Sequence, residues 1–97
     1  MLDKMKQLME LKRQADQLKR ELDAASVEVN EVRGIKIVVT GSQNFQSIEI
    51  EPSLLTSENK NRLEEDLKRS INAAIKKSQT VAAERMKNIP GFNIPGL

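Results

Sequence analysis

Apolar residues in the first quarter of the chain recur at alternating spacings of three and four. This is the a/d pattern of a heptad repeat, and no proline or glycine interrupts it. The pattern predicts one helix over residues 2–25, with a narrow seam that favours packing against another helix. The seam consists of Leu8, Leu11, Ala15, Leu18, Leu22 and Ala25.

The middle of the chain has a shorter period, because apolar and polar residues alternate and many are β-branched. This alternation is typical of half-buried strands. It predicts three strands, SVEVNEV at 26–32, GIKIVVT at 34–40 and FQSIEIE at 45–51. We expect an antiparallel meander with one aliphatic face. The opposite face carries Glu28, Lys36 and Glu49.

The side-chain period of two also predicts the register of the sheet. Pairing Val29 with Ile37 keeps the aliphatic residues on one face and leaves residues 32–34 as a three-residue turn. The glycine at the end of that turn supplies a left-handed conformation. Pairing Ile37 with Ile48 leaves the four-residue loop GSQN at 41–44.

A second helix follows the sheet. Pro52 ends the third strand because proline cannot donate to a β-ladder. Thr56 or Ser57 can cap the helix, which runs to about Asn88 because Pro90 follows. At 3.6 residues per turn its apolar residues lie on one face. They are Leu63, Leu67, Ile71, Ala74, Ile75, Ser78, Val81, Ala82 and Ile89.

The order α-β-β-β-α predicts an α+β fold in a single domain over residues 1–97. A helix of about 30 residues spans roughly 45 Å, whereas a six-residue strand spans only about 20 Å. Both helices therefore overhang the sheet, which favours a homodimer over a monomer. Within the domain we expect a helix arm at 1–25, the sheet at 26–55, a second helix arm at 56–88 and an apolar tail at 89–97. The residues expected in the core or the dimer interface are Leu8, Leu11, Leu18, Leu22, Leu67, Ile71, Ile37 and Ile48.

The tail, NIPGFNIPGL from residue 88, has too few apolar residues for a membrane span and too many for a solvated linker. We expect Ile89 and Phe92 to pack against the helix arms or a second protomer. The alternative is a mobile contact for partners.

Composition excludes several kinds of chemistry. The chain has no Cys and no His, so the commonest general base, thiolate nucleophiles and soft metal ligands are missing. No phosphate loop, dinucleotide fingerprint or calcium-binding loop is present. We expect no enzyme, no cofactor, no metal site and no small-molecule substrate.

Charges every few residues near the N-terminus exclude a signal-peptide core there, and we expect a cytoplasmic protein without a membrane partner.

Net charge is only +2, but residues 67–88 carry six basic side chains against the single acid Glu84. The helix dipole favours cations only in the last turn, so it does not account for all of them. The pattern indicates either an ordinary solvated face or a surface that binds phosphate. The candidates on the second helix are Arg62, Arg69, Lys76, Lys77 and Lys87. Arg62, Arg69, Lys76 and Lys87 form a line that is predicted to lie roughly opposite the apolar face.

The first helix contributes further candidates, Lys12, Arg13, Lys19 and Arg20. Acids interleave with them at helical spacing, as in Asp16 with Arg20 and Glu10 with Arg13, so a salt-bridged solvated face is the alternative there.

Proteins that read single strands or RNA usually stack bases on aromatic side chains, and this chain has only two Phe. Duplex DNA contacted through its backbone is therefore the nucleic-acid partner that fits best.

The chain resembles the YbaB/EbfC family of bacterial nucleoid-associated proteins. The resemblance rests on VTGSQNFQSIEIEPSLL at 39–55, MKNIPGFNIPGL at 86–97 and the flanking helices. It implies a tight homodimer with projecting helices that binds duplex DNA, usually with little sequence preference and sometimes with a preferred site. It also implies a place in the cytoplasm and nucleoid, with roles in nucleoid organisation and gene regulation. The rival hypothesis is a dimeric protein-interaction module that does not bind DNA.

Overall fold

The computed structural model describes residues 2–88, and the predicted tail lies outside them. The described chain has the predicted order α-β-β-β-α. Two 3-10 turns, Pro52–Leu54 and Ser57–Asn59, connect the sheet to the second long helix. The main elements are α1 (Leu2–Ala24), β1 (Ser26–Val32), β2 (Ile35–Thr40), β3 (Phe45–Ile50) and α2 (Lys60–Lys87).

The helix α2 begins later than the capping signal suggests. Thr56 is an N-cap as predicted, and its hydroxyl accepts a 3.2 Å hydrogen bond from the Asn59 backbone N–H. The cap belongs to the 3-10 turn, however, and the α-helix starts only at Lys60. The Asn59 side chain donates to the Leu54 carbonyl at 2.8 Å, which ties the start of α2 to the end of the sheet.

The sheet has the order β1-β2-β3 with both pairs antiparallel. Val29 pairs with Ile37, Ile37 with Ile48 and Ile35 with Ile50, so the predicted register is confirmed. Because paired residues share a face, these five side chains lie on the aliphatic side of the sheet.

The turn between β1 and β2 is tighter than the predicted three residues. Val32 pairs with Ile35, which leaves Arg33 and Gly34 as a two-residue turn. A bulge between Val29 and Val32 absorbs the extra residue and keeps the aliphatic side chains in register. Gly34 has a φ of 91°, the left-handed conformation expected of it.

The core lies between α2 and the first two strands. Ile35, Ile37 and Val39 of the central strand are at most 2% exposed, and Val29 of β1 is 4% exposed. Ala74 of α2 is fully buried, because α2 lies across β1 and β2. A small side chain at this position lets the helix backbone approach the sheet closely.

The loop between β2 and β3 joins α1, the sheet and α2. The Ser78 hydroxyl donates to the Thr40 carbonyl at 2.7 Å and accepts from the Gln43 backbone N–H at 3.1 Å. Gln43 has a φ of 65°, a conformation that this hydrogen bond stabilises. The Gly41 N–H donates to the Leu22 carbonyl at 3.0 Å, so the same loop also caps the end of α1.

The protein is elongated, with a radius of gyration of 18.5 Å and extents of 67 × 24 × 18 Å. A compact chain of this length would have a radius of gyration of about 12.5 Å. Leu18 and Leu22 near the end of α1 are half-buried. Leu8 and Leu11 belong to the same seam but are 66% and 52% exposed. The predicted overhang of α1 is therefore present in the single chain.

Candidate nucleic-acid interface

A groove of about 500 Å³ runs between the edge strand β1 and α2. Val29 and Glu31 line it from the strand. Three cations line it from the helix, so positive charge exceeds negative charge along the groove. The helix residues in the groove are Arg69, Asn72, Ala73, Lys76, Lys77 and Thr80.

The three cations of this groove are exposed and, within residues 2–88, Arg69, Lys76 and Lys77 form no ion pair. Arg69 and Lys76 are seven residues apart, about 10 Å along the helix at 1.5 Å per residue. Cations without a carboxylate partner are free to neutralise phosphates, and the release of the counterions condensed on the polyanion then drives binding. The groove is therefore suited to a phosphate backbone.

A second depression adjoins the groove towards the β1–β2 turn. Three arginines, Arg33, Arg62 and Arg69, line it, and its formal charges balance because three acids, Glu31, Glu51 and Asp66, line it as well. Arg62 lies 3.8 Å from the Asp66 carboxylate through its Nε atom, so its charge is partly compensated. Arg33 was missed by the sequence reasoning, which considered only cations on the helices. Its place beside α2 depends on the packing of the turn against the helix, for which the sequence offers no local signal.

The predicted line of cations on α2 does not face wholly away from the sheet. Arg69 and Lys76 border the groove beside β1, and Lys77 joins them there. Arg62 lines the adjoining depression. Lys87 is exposed in the last turn of α2, about 16 Å beyond Lys76 at 1.5 Å per residue. The structure thus brings four of the five candidates on α2 onto one continuous surface and leaves Lys87 apart.

Arg13 on α1 is engaged by an acid of its own helix. Its Nε donates a 3.1 Å hydrogen bond to Glu10, as the spacing of three residues predicts. This hydrogen bond and the paired charge raise the pKa of Arg13 and, through the same contact, lower the pKa of Glu10. Both residues border a polar cleft between α1 and the end of α2, which Glu21 and Arg85 also line. The acids of this cleft reduce its attraction for phosphate.

Lys12, Lys19 and Arg20 on α1 are exposed and form no ion pair in the described part of the chain. The predicted pair between Asp16 and Arg20 is not formed there. These cations remain available for a partner, although acids of the same helix flank them.

The outer face of the sheet is not basic. Lys36 lies 3.2 Å from Glu49 and 3.6 Å from Glu28, as the strand alternation predicts. The hydrogen bond to Glu49 contributes most to raising the pKa of Lys36, and the Glu28 carboxylate adds to it. Two acids around one cation make this face unsuited to phosphate.

Residues 2–88 contain no group of three or more acidic, His or Cys side chains placed to hold a metal ion. In the same part of the chain, no helix has the length and apolar character needed to cross a membrane.

The fold and the groove define a small α+β protein that presents unpaired cations along a long helix, a class suited to polyanionic partners. The chain belongs to the YbaB/EbfC DNA-binding family, whose family model matches residues 1–92. This match confirms the family resemblance drawn from the sequence. The family is described by DNA binding and not by catalysis.

Two bacterial relatives are similar over much of the chain. A nucleoid-associated protein of Pelotomaculum thermopropionicum is 33% identical over 95 residues, which cover 96% of this chain and 90% of the relative. A nucleoid-associated protein of Caldicellulosiruptor bescii is 33% identical over 72 residues, which cover 73% of this chain. The second match spans 64% of that relative, somewhat less than two thirds of its length.

Proposed function

We propose that this protein binds duplex DNA as a homodimer, mainly through backbone phosphates, and that it acts in nucleoid organisation and gene regulation in the bacterial cytoplasm. The observation that carries the proposal is the groove beside β1, where Arg69, Lys76 and Lys77 lack ion-pair partners within residues 2–88. Membership of a DNA-binding family supports DNA as the polyanion.

Backbone contact fits this groove better than base reading. In the described part of the chain the only aromatic side chain is Phe45, at the start of β3 and away from the groove lining. A groove without an aromatic platform cannot stack unpaired bases, which argues for a duplex. Phosphate contacts by Lys and Arg carry no sequence information, so the affinity should vary little between unrelated duplexes.

The homodimer is supported by apolar side chains that the single chain leaves uncovered. Ile48 and Phe45 on β3 are 47% and 37% exposed, and Leu55 beyond the strand is 61% exposed. Ile48 and Phe45 belong to β3, one of the two edge strands of the sheet, whose outer edge has no strand partner in the single chain. A second copy that covers this edge would remove apolar surface from water in both protomers.

The alternative is a dimeric protein-interaction module without DNA binding, which would bind its partner through exposed apolar residues such as Leu8 and Leu11. An apolar seam on a helix fits a groove or a helix on another protein. The two hypotheses differ in their response to salt, because phosphate binding releases counterions whereas an apolar interface depends much less on salt.

The test is fluorescence anisotropy with two unrelated duplexes of about 30 base pairs, titrated from roughly 50 to 200 mM salt. Three groove cations in each of two protomers correspond to about six phosphates and a log–log slope of about −5. Similar affinity on both duplexes with a slope near this value is the expected result. No binding at the lowest salt, or a slope near zero, would overturn the proposal and favour the protein-interaction module.

A further inference from the structure

Glu31 is a carboxylate shared by the basic groove and by the adjoining depression, whose formal charges balance. It lines the groove with Arg69, Lys76 and Lys77, and it also lines the adjoining depression next to Arg33. The side chain is exposed at the edge of β1. Among residues 2–88 it is the one acidic residue that lines the groove beside β1.

Glu31 differs from the other acids of the sheet in having no fixed cation. Glu28 and Glu49 are both held by Lys36 on the outer face. Glu31 has no ion pair or hydrogen bond from its side chain within residues 2–88, although Arg69 borders the same groove. Its negative charge is therefore not cancelled at short range, and it acts on whatever enters the groove.

We propose that Glu31 is a built-in attenuator of phosphate binding, which lowers the affinity of the groove by opposing an incoming phosphate and offsetting the field of its cations. This inference rests on the proposed DNA binding and deepens it. A carboxylate about 7 Å from a phosphate in a water-like medium weakens binding by roughly threefold per groove. For a homodimer with both grooves occupied, the combined effect is roughly tenfold. Salt screens this repulsion, because the Debye length is only about 8–10 Å at 0.1–0.15 M ionic strength.

The test compares Glu31→Gln with the matched control Glu49→Gln in the full chain. Both substitutions remove one negative charge from an exposed position on the sheet, but Glu49 lies on β3 and contacts Lys36 on the outer face. Anisotropy titrations with one duplex at about 50, 100 and 200 mM salt give the affinities. Thermal melts identify any variant that does not fold. Glu31→Lys extends the series by reversing the charge at the same position.

Glu31→Gln is expected to bind roughly three- to tenfold more tightly than the parent at the lowest salt, and Glu31→Lys more tightly still. The gain should shrink as salt rises, and Glu49→Gln should change affinity less than about twofold. Equal gains for Glu31→Gln and Glu49→Gln, or no gain for Glu31→Gln, would overturn the inference while DNA binding stands. A parent chain that does not bind DNA would overturn the proposed function, and the inference with it.

Discussion

Ile37 and Ile48 are direct partners across β2 and β3, yet Ile37 is fully buried and Ile48 is 47% exposed. The two side chains share one face of the sheet, so the difference arises from what covers each strand. The helix α2 lies across β1 and β2 and leaves β3 largely open. The apolar face of β3 is therefore the part of the sheet that a second copy can cover.

The first prediction is that Ile48→Asp converts a homodimer into a folded monomer. A carboxylate in a desolvated interface is strongly unfavourable, whereas at a half-exposed position of the single chain it is tolerated. Light scattering at micromolar concentration should give twice 10.9 kDa for the parent and 10.9 kDa for the variant.

The control for this prediction is Ser47→Asp, which places the same charge on the outer face of the same strand. It should remain dimeric. A parent chain of 10.9 kDa under these conditions would exclude the dimer.

The second prediction concerns the groove cations. Arg69→Ala combined with Lys76→Ala should weaken binding about tenfold or more, equally on unrelated duplexes, because phosphate contacts are independent of sequence. The salt slope should fall by about one for each lost contact. Lys12→Ala combined with Arg13→Ala removes the same charge from α1 and should have a smaller effect, since Glu10 already pairs with Arg13. If the variant with Arg69→Ala and Lys76→Ala kept the salt slope of the parent, the groove would be an ordinary solvated face without phosphate contacts.

The third prediction is that Ser78→Ala destabilises the protein by about 1–2 kcal/mol, because a buried carbonyl and N–H lose a hydroxyl partner. Thr40 and Gln43 keep the 3.0 Å hydrogen bond between their backbones, which limits the loss. Thr80→Ala is the matched control, since within residues 2–88 its exposed hydroxyl donates only to the Lys76 carbonyl of its own helix. Urea denaturation should show a lower midpoint for Ser78→Ala alone, and equal midpoints would contradict the role given to this hydroxyl.

The fourth prediction is that Gly34→Ala destabilises the β1–β2 turn by about 1–3 kcal/mol. A Cβ atom at this position would lie 2.8 Å from Leu54 Cδ1, and the φ of 91° disfavours any other residue. Arg33→Ala, in the same two-residue turn, should leave the thermal midpoint nearly unchanged. A Gly34→Ala protein with the same thermal midpoint as the parent would contradict this prediction, because it would show that the turn accommodates the Cβ atom without a loss of stability.

The fifth prediction concerns the tail, which lies outside the described residues. Asn88, the C-cap of α2, lines the same cleft as Arg13 of α1, and the next seam residues of α1 are the exposed Leu11 and Leu8. Deletion of residues 90–97 should lower the thermal midpoint if the apolar tail packs on such a surface, because that contact removes apolar area from water. DNA affinity should stay within a few-fold, since no basic residue follows Lys87. An unchanged midpoint, with sharp tail resonances by NMR in the intact protein, would favour the mobile alternative.

The sequence by itself determined the elements and the register. Three of its signals act through local geometry and need no knowledge of the fold. They are the heptad spacing of α1, the alternation in the strands and the proline after β3. The pairing of Val29 with Ile37 follows from face parity together with a short turn that ends in Gly34. The β1–β2 turn is one residue shorter than predicted. A bulge in β1 takes up the extra residue and still keeps the aliphatic side chains on one face of the sheet.

Only the tertiary structure decided where α2 lies on the sheet, and this placement decides the site. The position of the helix over β1 and β2 buries Ile37, leaves Ile48 exposed and forms a groove that both Arg69 and Glu31 line. Helical periodicity places charges around an axis, but it does not say which strand edge the helix will lie beside. That choice depends on the fit of small residues such as Ala74 against the strands, a property of packing between segments distant in the chain.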